Sequence, residues 1–145
     1  MEIETTRFGT LEIDEREIIS MVDPIIGFPH AHRFVLLDHK TKSGPTPFKW
    51  LQSVDDPALA FVLLPAQLVE PTYRVTMTKE EAQKLKISEP TDAEVWTILV
   101  IPPKEPKKMT ANLKAPVVIN TKEKLGKQLV LVDSEYSTKH RVFKG

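Results

Sequence analysis

The chain has 145 residues, of which 41% are hydrophobic and 28% are charged, values typical of one globular domain and not of a disordered chain. The absence of cysteine excludes disulfides, thiol catalysis and thiolate metal sites. The formal net charge is zero, whereas a dedicated nucleic-acid-binding protein usually carries a strong basic excess. We therefore expect a single domain, residues 1–145, that does not bind nucleic acid directly.

The charge is unevenly distributed along the chain. Residues 1–100 carry 10 Lys and Arg against 16 Asp and Glu, whereas residues 101–145 carry 10 against 4. A basic C-terminal third of this kind is most often a solvated, lysine-rich surface, and contact with an acidic partner is the other interpretation.

The N-terminus begins Met1-Glu2-Ile3-Glu4 and lacks the apolar region of a secretory signal. The sequence has no run of ~18 apolar residues, the length that spans a membrane. Together with the absence of cysteine, these features predict a cytoplasmic protein that makes no membrane contact.

Short β-rich runs separated by turn residues predict an all-β, mainly antiparallel fold, a small barrel or sandwich with one short helix. Gly9 is placed to turn an N-terminal hairpin, and Gly126 to close the lysine-rich turn of a late hairpin. Residues 95–101 are apolar on both faces, as in a central strand. Residues 73–77 alternate between apolar and polar side chains, as in a strand with one solvent-exposed face. The predicted strands are 3–8, 11–13, 33–37, 48–52, 60–64, 73–77, 95–101, 116–120 and 128–132.

The one helix that the sequence specifies begins at Thr78. Its hydroxyl is a good N-cap, and Glu81, three residues later, completes the pattern of a capping box. We expect the helix to run through Ala82 and Leu85 and to end before Pro90.

No motif in the chain indicates catalysis. The five glycines form no phosphate-binding loop, and no G-x-S-x-G nucleophile motif occurs. His30 and His32 would share a face of a strand, but two nitrogens are too few for a metal site. Asp55 and Asp56 precede Pro57 and are typical of a turn. We expect no enzyme activity, no cofactor and no metal.

A direct RNA-binding β-barrel is the alternative function. Small barrels bind single strands through aromatic side chains on a basic face. Here aromatic residues make up 7% of the chain and lie in apolar runs, away from the basic cluster. This alternative predicts an affinity for short RNA that falls steeply with salt.

Several distinctive stretches follow one another along the chain, and the longest include W-L-Q-S-V-D and M-T-A-N-L. They lie at residues 27–29, 33–37, 47–61, 109–113, 115–120, 126–128 and 136–140. In this order and spacing, which covers nearly the whole chain, they resemble the FliW family of flagellar assembly factors.

The resemblance implies a small antiparallel β-barrel that binds two proteins in the cytoplasm. One is flagellin, through a terminal helical segment, and the other is CsrA, a translational repressor of the flagellin message. Export of flagellin would free the factor to capture CsrA and relieve repression. An acidic patch, for example Asp14, Glu15 and Glu17, would suit the basic RNA-binding surface of CsrA.

Polar residues inside the distinctive motifs are the candidate partner-binding residues. The alternative is that they satisfy hydrogen bonds of turns and strand ends, as Asn and Asp often do. The candidates are Gln52, Ser53, Asp55, Asn112, Asn120 and Tyr136.

Overall fold

The computed structural model describes residues 1–143. The two short α-helices within them are α1 (Ala66–Val69) and α2 (Lys79–Lys84). The strands are β1 (Glu2–Thr5), β2 (Gly9–Glu12), β3 (Ile19–Met21), β4 (Arg33–Thr41), β5 (Gly44–Ser53), β6 (Ala60–Pro65), β7 (Ala93–Val100), β8 (Thr110–Ala111), β9 (Val117–Asn120), β10 (Leu125–Gln128) and β11 (His140–Arg141).

Seven of these strands close into a barrel within residues 1–143, which confirms the predicted fold class. They follow the order β7-β6-β5-β4-β3-β10-β9, and β9 pairs again with β7. The pairs are antiparallel except for β3 with β10, which run parallel. Strand β7 is central, as predicted, because it lies between β6 and β9. It also pairs with β8 near its C-terminal end.

The barrel interior is filled by apolar side chains from alternate positions of its strands. Full burial of each such side chain contributes about 1.5–3 kcal/mol relative to exposure. The largest ones are Ile19, Phe34, Leu51, Leu63, Trp96 and Ile119.

Gly126 lies within β10, so the prediction that it closes a turn is wrong. The turn occupies residues 121–124, and Lys124 takes its left-handed position with a φ of 56°. The hairpin register pairs Asn120 with Leu125. A Cβ atom on Gly126 would lie 2.9 Å from Met21 Sδ, so a larger residue here would require the Met21 side chain to shift where β10 approaches β3.

A second apolar layer covers the outside of the barrel next to β6, β7 and β8. Tyr73 is buried there, and Val75 and Met77 are partly buried, so residues 73–77 alternate as the sequence predicts. This segment nevertheless pairs with no strand among residues 1–143, and the prediction of a strand is wrong. Alternating burial identifies the inner face of a segment but does not supply a strand beside it.

The capping box of α2 is confirmed. Thr78 Oγ1 accepts from the Glu81 amide at 3.1 Å, and Glu81 Oε1 accepts from the Thr78 amide at 2.9 Å. The helix ends at Lys84, before Pro90 as predicted. Helix α1 was not predicted, because its four residues are too few to show a helical period.

The predicted N-terminal hairpin is confirmed as a two-stranded sheet of β1 and β2 that lies against the barrel. The Thr6 amide donates to the Pro57 carbonyl at 2.8 Å. The guanidinium of Arg7 lies 4.4 Å from the Trp50 ring centre, and the Phe8 ring meets the Trp50 ring edge-on at 5.5 Å. These contacts attach the tip of the hairpin to the outer face of β5.

Candidate partner-binding surfaces

Gln52 and Ser53 are fully buried and hold the loop between β5 and β6. The Gln52 amide nitrogen donates to the carbonyls of Ser53, Pro57 and Leu59 at 3.0–3.3 Å. Ser53 Oγ accepts from the amides of residues 55 and 56 at 3.1 and 2.9 Å. A partner would therefore reach these two side chains only through their neighbours.

Asp55 joins this loop to the start of β4. Its carboxylate accepts from the amides of His32 and Arg33 and from the Arg33 guanidinium, with the salt bridge at 2.9 Å. Burial raises the pKa of the Asp55 carboxyl, but the hydrogen bonds from Arg33 and His32 outweigh it, so the pKa lies below its ordinary value. The carboxylate is a structural link in its charged form.

Asn112 and Asn120 each organise a turn. Asn112 Oδ1 accepts from the amides of Lys114 and Ala115 at 3.1 and 3.0 Å. Asn120, which is buried, accepts from the amides of residues 122 and 123 and donates to the carbonyls of residues 85 and 86 at the end of α2. Asn120 thereby connects α2 to the turn between β9 and β10.

Tyr136 fastens the C-terminal segment to the barrel. Its ring centre lies 4.5 Å from that of Tyr73, and its hydroxyl accepts from the Arg74 amide at 3.2 Å. The Tyr73 hydroxyl in turn donates to the Leu113 carbonyl, and burial raises its pKa. The segment around Tyr136 is thus packed against the second apolar layer.

Three of the six candidates lie together at the loop between β5 and β6, the other three lie at different places in the fold, and each one makes internal hydrogen bonds. This geometry favours the alternative that these side chains satisfy the hydrogen bonds of turns and strand ends. Contact between any of them and a partner stays a prediction.

An acidic surface covers the outer face of the N-terminal hairpin and the short helical turn after it. Glu2 lies directly opposite Glu12 across the hairpin, and the Glu12 carboxylate forms an ion pair with the N-terminal ammonium at 2.8 Å. Asp14 caps the turn at residues 15–17, and its hydrogen bonds with Arg16 lower its pKa to about 2. We define the acidic surface as Glu2, Glu4, Glu12, Glu15 and Glu17.

A second surface is apolar. Strands β3, β5, β7 and β10 all point the same way, so the segments that follow them meet at one end of the barrel. Exposed apolar side chains lie on these segments, and they are candidates for an interaction surface because contiguous apolar patches mark such sites. We define this apolar end as Ile26, Phe28, Val100, Val130 and Val132.

Sequence reasoning missed the apolar end, because it selected polar residues within motifs. An alternating pattern was visible at Val130 and Val132, but it is the pattern of any strand with a buried face. Only the topology shows that these side chains lie beyond the closed part of the barrel.

Among residues 1–143, no group of three or more His, Asp or Glu side chains is arranged to hold a metal. None of the helices in that part of the chain is long and apolar enough to cross a membrane.

The chain is similar to known proteins along nearly its whole length. The family model described as FliW protein matches residues 2–142. A flagellar assembly factor FliW of Alkaliphilus metalliredigens is 43% identical over 142 residues, which cover 98% of this chain and 86% of that protein. That of Geobacter sulfurreducens is 41% identical over 143 residues, covering 99% of this chain and 87% of the relative.

A crystal structure of the flagellar assembly factor FliW has the same fold. It superimposes with a TM-score of 0.90 at 38% sequence identity and covers 100% of this chain and 99% of its own. The barrel, the motif stretches and the matched length agree, and the chain belongs to the FliW family.

Proposed function

We propose that this chain is a cytoplasmic flagellar assembly factor that binds flagellin and the translational repressor CsrA. In this proposal it relieves repression of flagellin translation by exchanging one partner for the other. It acts by binding and catalyses no reaction. Membership of the FliW family over residues 2–142 is the observation that supports the proposal most strongly.

The acidic surface supports the CsrA half of the proposal. CsrA must bind RNA through a basic surface, and a cluster of carboxylates attracts such a surface and repels phosphate. Glu2 and Glu15 form no ion pair within residues 1–143, and Glu2 also faces Glu12. A basic partner would supply opposite charges to Glu2 and Glu15, so binding is expected to gain from it.

The apolar end supports the flagellin half. A terminal segment of flagellin forms an amphipathic helix before assembly, and such a helix binds by laying its apolar face on an apolar surface. Ile26 and Val100, both 66% exposed, offer such a surface.

Size-exclusion chromatography tests the exchange. The chain is mixed with purified CsrA and then with flagellin, and we expect a complex with CsrA that flagellin dissolves. Short RNA added to the chain alone is the control for direct RNA binding. Failure of both proteins to co-elute with the chain would refute the proposed function, and binding of RNA at low salt would favour the alternative.

Charge reversal tests the acidic surface. Glu2→Lys with Glu15→Lys should weaken CsrA binding by roughly three- to tenfold at low salt, and by less at high salt, because the charges are exposed and screened. Glu80→Lys with Glu94→Lys makes the same change of charge at exposed positions elsewhere on the chain and is the matched control. Equal affinities of the two double variants would contradict a specific role for the hairpin.

A further inference from the structure

Residues 129–131, directly after β10, continue as an extended chain with one bonded edge and one open edge, and a turn follows at residues 132–133. The amide of Leu129 donates to the Pro116 carbonyl at 2.9 Å, and that of Leu131 donates to the Lys114 carbonyl at 2.8 Å. The alternate residues point the other way. The Val130 amide and carbonyl and the Val132 amide have no hydrogen-bond partner within the described part of the chain.

The open edge exists because β3 leaves the barrel early. Its last bond to this side is from the Val22 amide to the Gly126 carbonyl at 2.9 Å. The loop then turns away, and the Ile26 amide bonds to the Gln128 side chain at 3.0 Å instead of to a backbone carbonyl. No backbone of residues 1–143 therefore continues the ladder beside Val130.

The side chains at this edge are apolar and exposed. Val130 is 47% exposed and Val132 is 72% exposed. Soluble proteins usually protect an open edge with a lysine, a proline or a covering loop, because unpaired amides and carbonyls are a template for another strand. In the part of the chain that the structure describes, none of these protects Val130 and Val132.

The end of the edge is acidic. Asp133 and Glu135 follow directly, both are exposed, and neither takes part in an ion pair within residues 1–143. A strand added here would therefore gain from a basic residue beside Asp133.

We propose that the edge from Val130 to Val132 is a β-augmentation site for an extended segment of a protein partner. The segment has apolar side chains at alternate positions and a basic residue at the end next to Asp133. Its backbone completes the three free groups, and its side chains cover the two valines. This mode differs from the helical contact proposed for flagellin, so the inference goes beyond the proposed function and does not depend on it.

A proline substitution removes one of the free donors and leaves the fold intact. Val132 is the second residue of a turn closed by the bond from the Ser134 amide to the Leu131 carbonyl at 3.1 Å, a position that favours proline. Val132→Pro therefore deletes an amide that the fold does not use. Val132→Thr keeps the amide and nearly the same shape, and it is the matched control.

The probe is a synthetic peptide, Lys-Val-Thr-Val-Thr-Val-Lys, titrated into the 15N-labelled chain. We expect the amide signals of Val130 and Val132 to shift and their hydrogen exchange to slow. Val132→Pro should weaken binding by about fivefold, since it loses one hydrogen bond, and Val132→Thr should weaken it by less. A peptide with proline in place of both threonines should bind less tightly, because its threonine amides can no longer donate to the Val130 carbonyl.

Two results would overturn the inference. One is an absence of shifts at Val130 and Val132 at millimolar peptide. The other is equal affinity of the peptide for Val132→Pro and for the unaltered chain. Thermal unfolding of each variant shows that the barrel is intact, so a loss of binding reports on the edge itself.

Discussion

Replacement of Asn120 by alanine tests whether this residue has a structural role or contacts a partner. The side chain is 2% exposed and makes four hydrogen bonds, to the carbonyls of Leu85 and Lys86 and from the amides of Lys122 and Glu123. Each such bond contributes a net 0.5–1.5 kcal/mol in general, so four are worth about 2–6 kcal/mol. Because the two turn amides can bond to water after the change, we expect a loss of about 3 kcal/mol.

A loss of that size should lower the Tm by about 10 °C in a chain of this length. Circular dichroism gives the Tm, and urea unfolding gives the free energy of unfolding. Binding to flagellin and to CsrA is measured well below the Tm, where we expect it to be unchanged. Asn120→Asp keeps the acceptor but places a carboxylate against two carbonyls, so it should destabilise the chain as well. An unaltered Tm combined with lost binding would show that Asn120 is a contact residue and that the structural interpretation is wrong.

Three further predictions concern stability. Gly126→Ala should cost about 1–3 kcal/mol in urea unfolding, because its Cβ would lie 3.3 Å from Ile19 Cγ2 and 2.9 Å from Met21 Sδ; a cost near zero would show that Met21 moves aside freely. The lowered pKa of Asp55 means that its stabilisation is complete above the unfolded pKa, near 3.8, and is lost as the pH falls through the lower folded value. Asp55→Asn should thus be less stable than the unaltered chain at pH ~6, with the difference shrinking below pH ~4. Thr78→Ala removes the capping box and should cost about 1 kcal/mol, whereas Thr78→Ser should cost little.

Much of the fold was predictable, because its determinants are local. The hairpin at Gly9, the capping box at Thr78 and the central strand near Trp96 each follow from residues close together in the chain. The errors at Gly126 and at residues 73–77 have a different origin. Both errors depend on which distant segment of the chain lies beside the residues in question. Neither the composition nor the spacing of hydrophobic residues contains that information.

The same limit applies to the candidate surfaces. The acidity of residues 1–17 was visible as six acidic and two basic side chains. The register that places Glu2 opposite Glu12 follows from the turn at residues 6–8, directly before Gly9. By contrast, the open edge at Val130 arises because β3, more than a hundred residues earlier, leaves the barrel at Val22. Long-range parallel pairing of this kind has no short-range signal.

The attachment of the N-terminal hairpin has a consequence for hydrogen exchange. Within residues 1–143, its strands pair only with each other, and its backbone reaches the barrel through the bond from Thr6 to Pro57. Segments with few links to the core open at free energies well below that of global unfolding. The hairpin amides should therefore exchange earlier than those of the barrel, as a separate cooperative unit. Opening of this unit would move the carboxylates that it carries away from the barrel while the barrel stays folded.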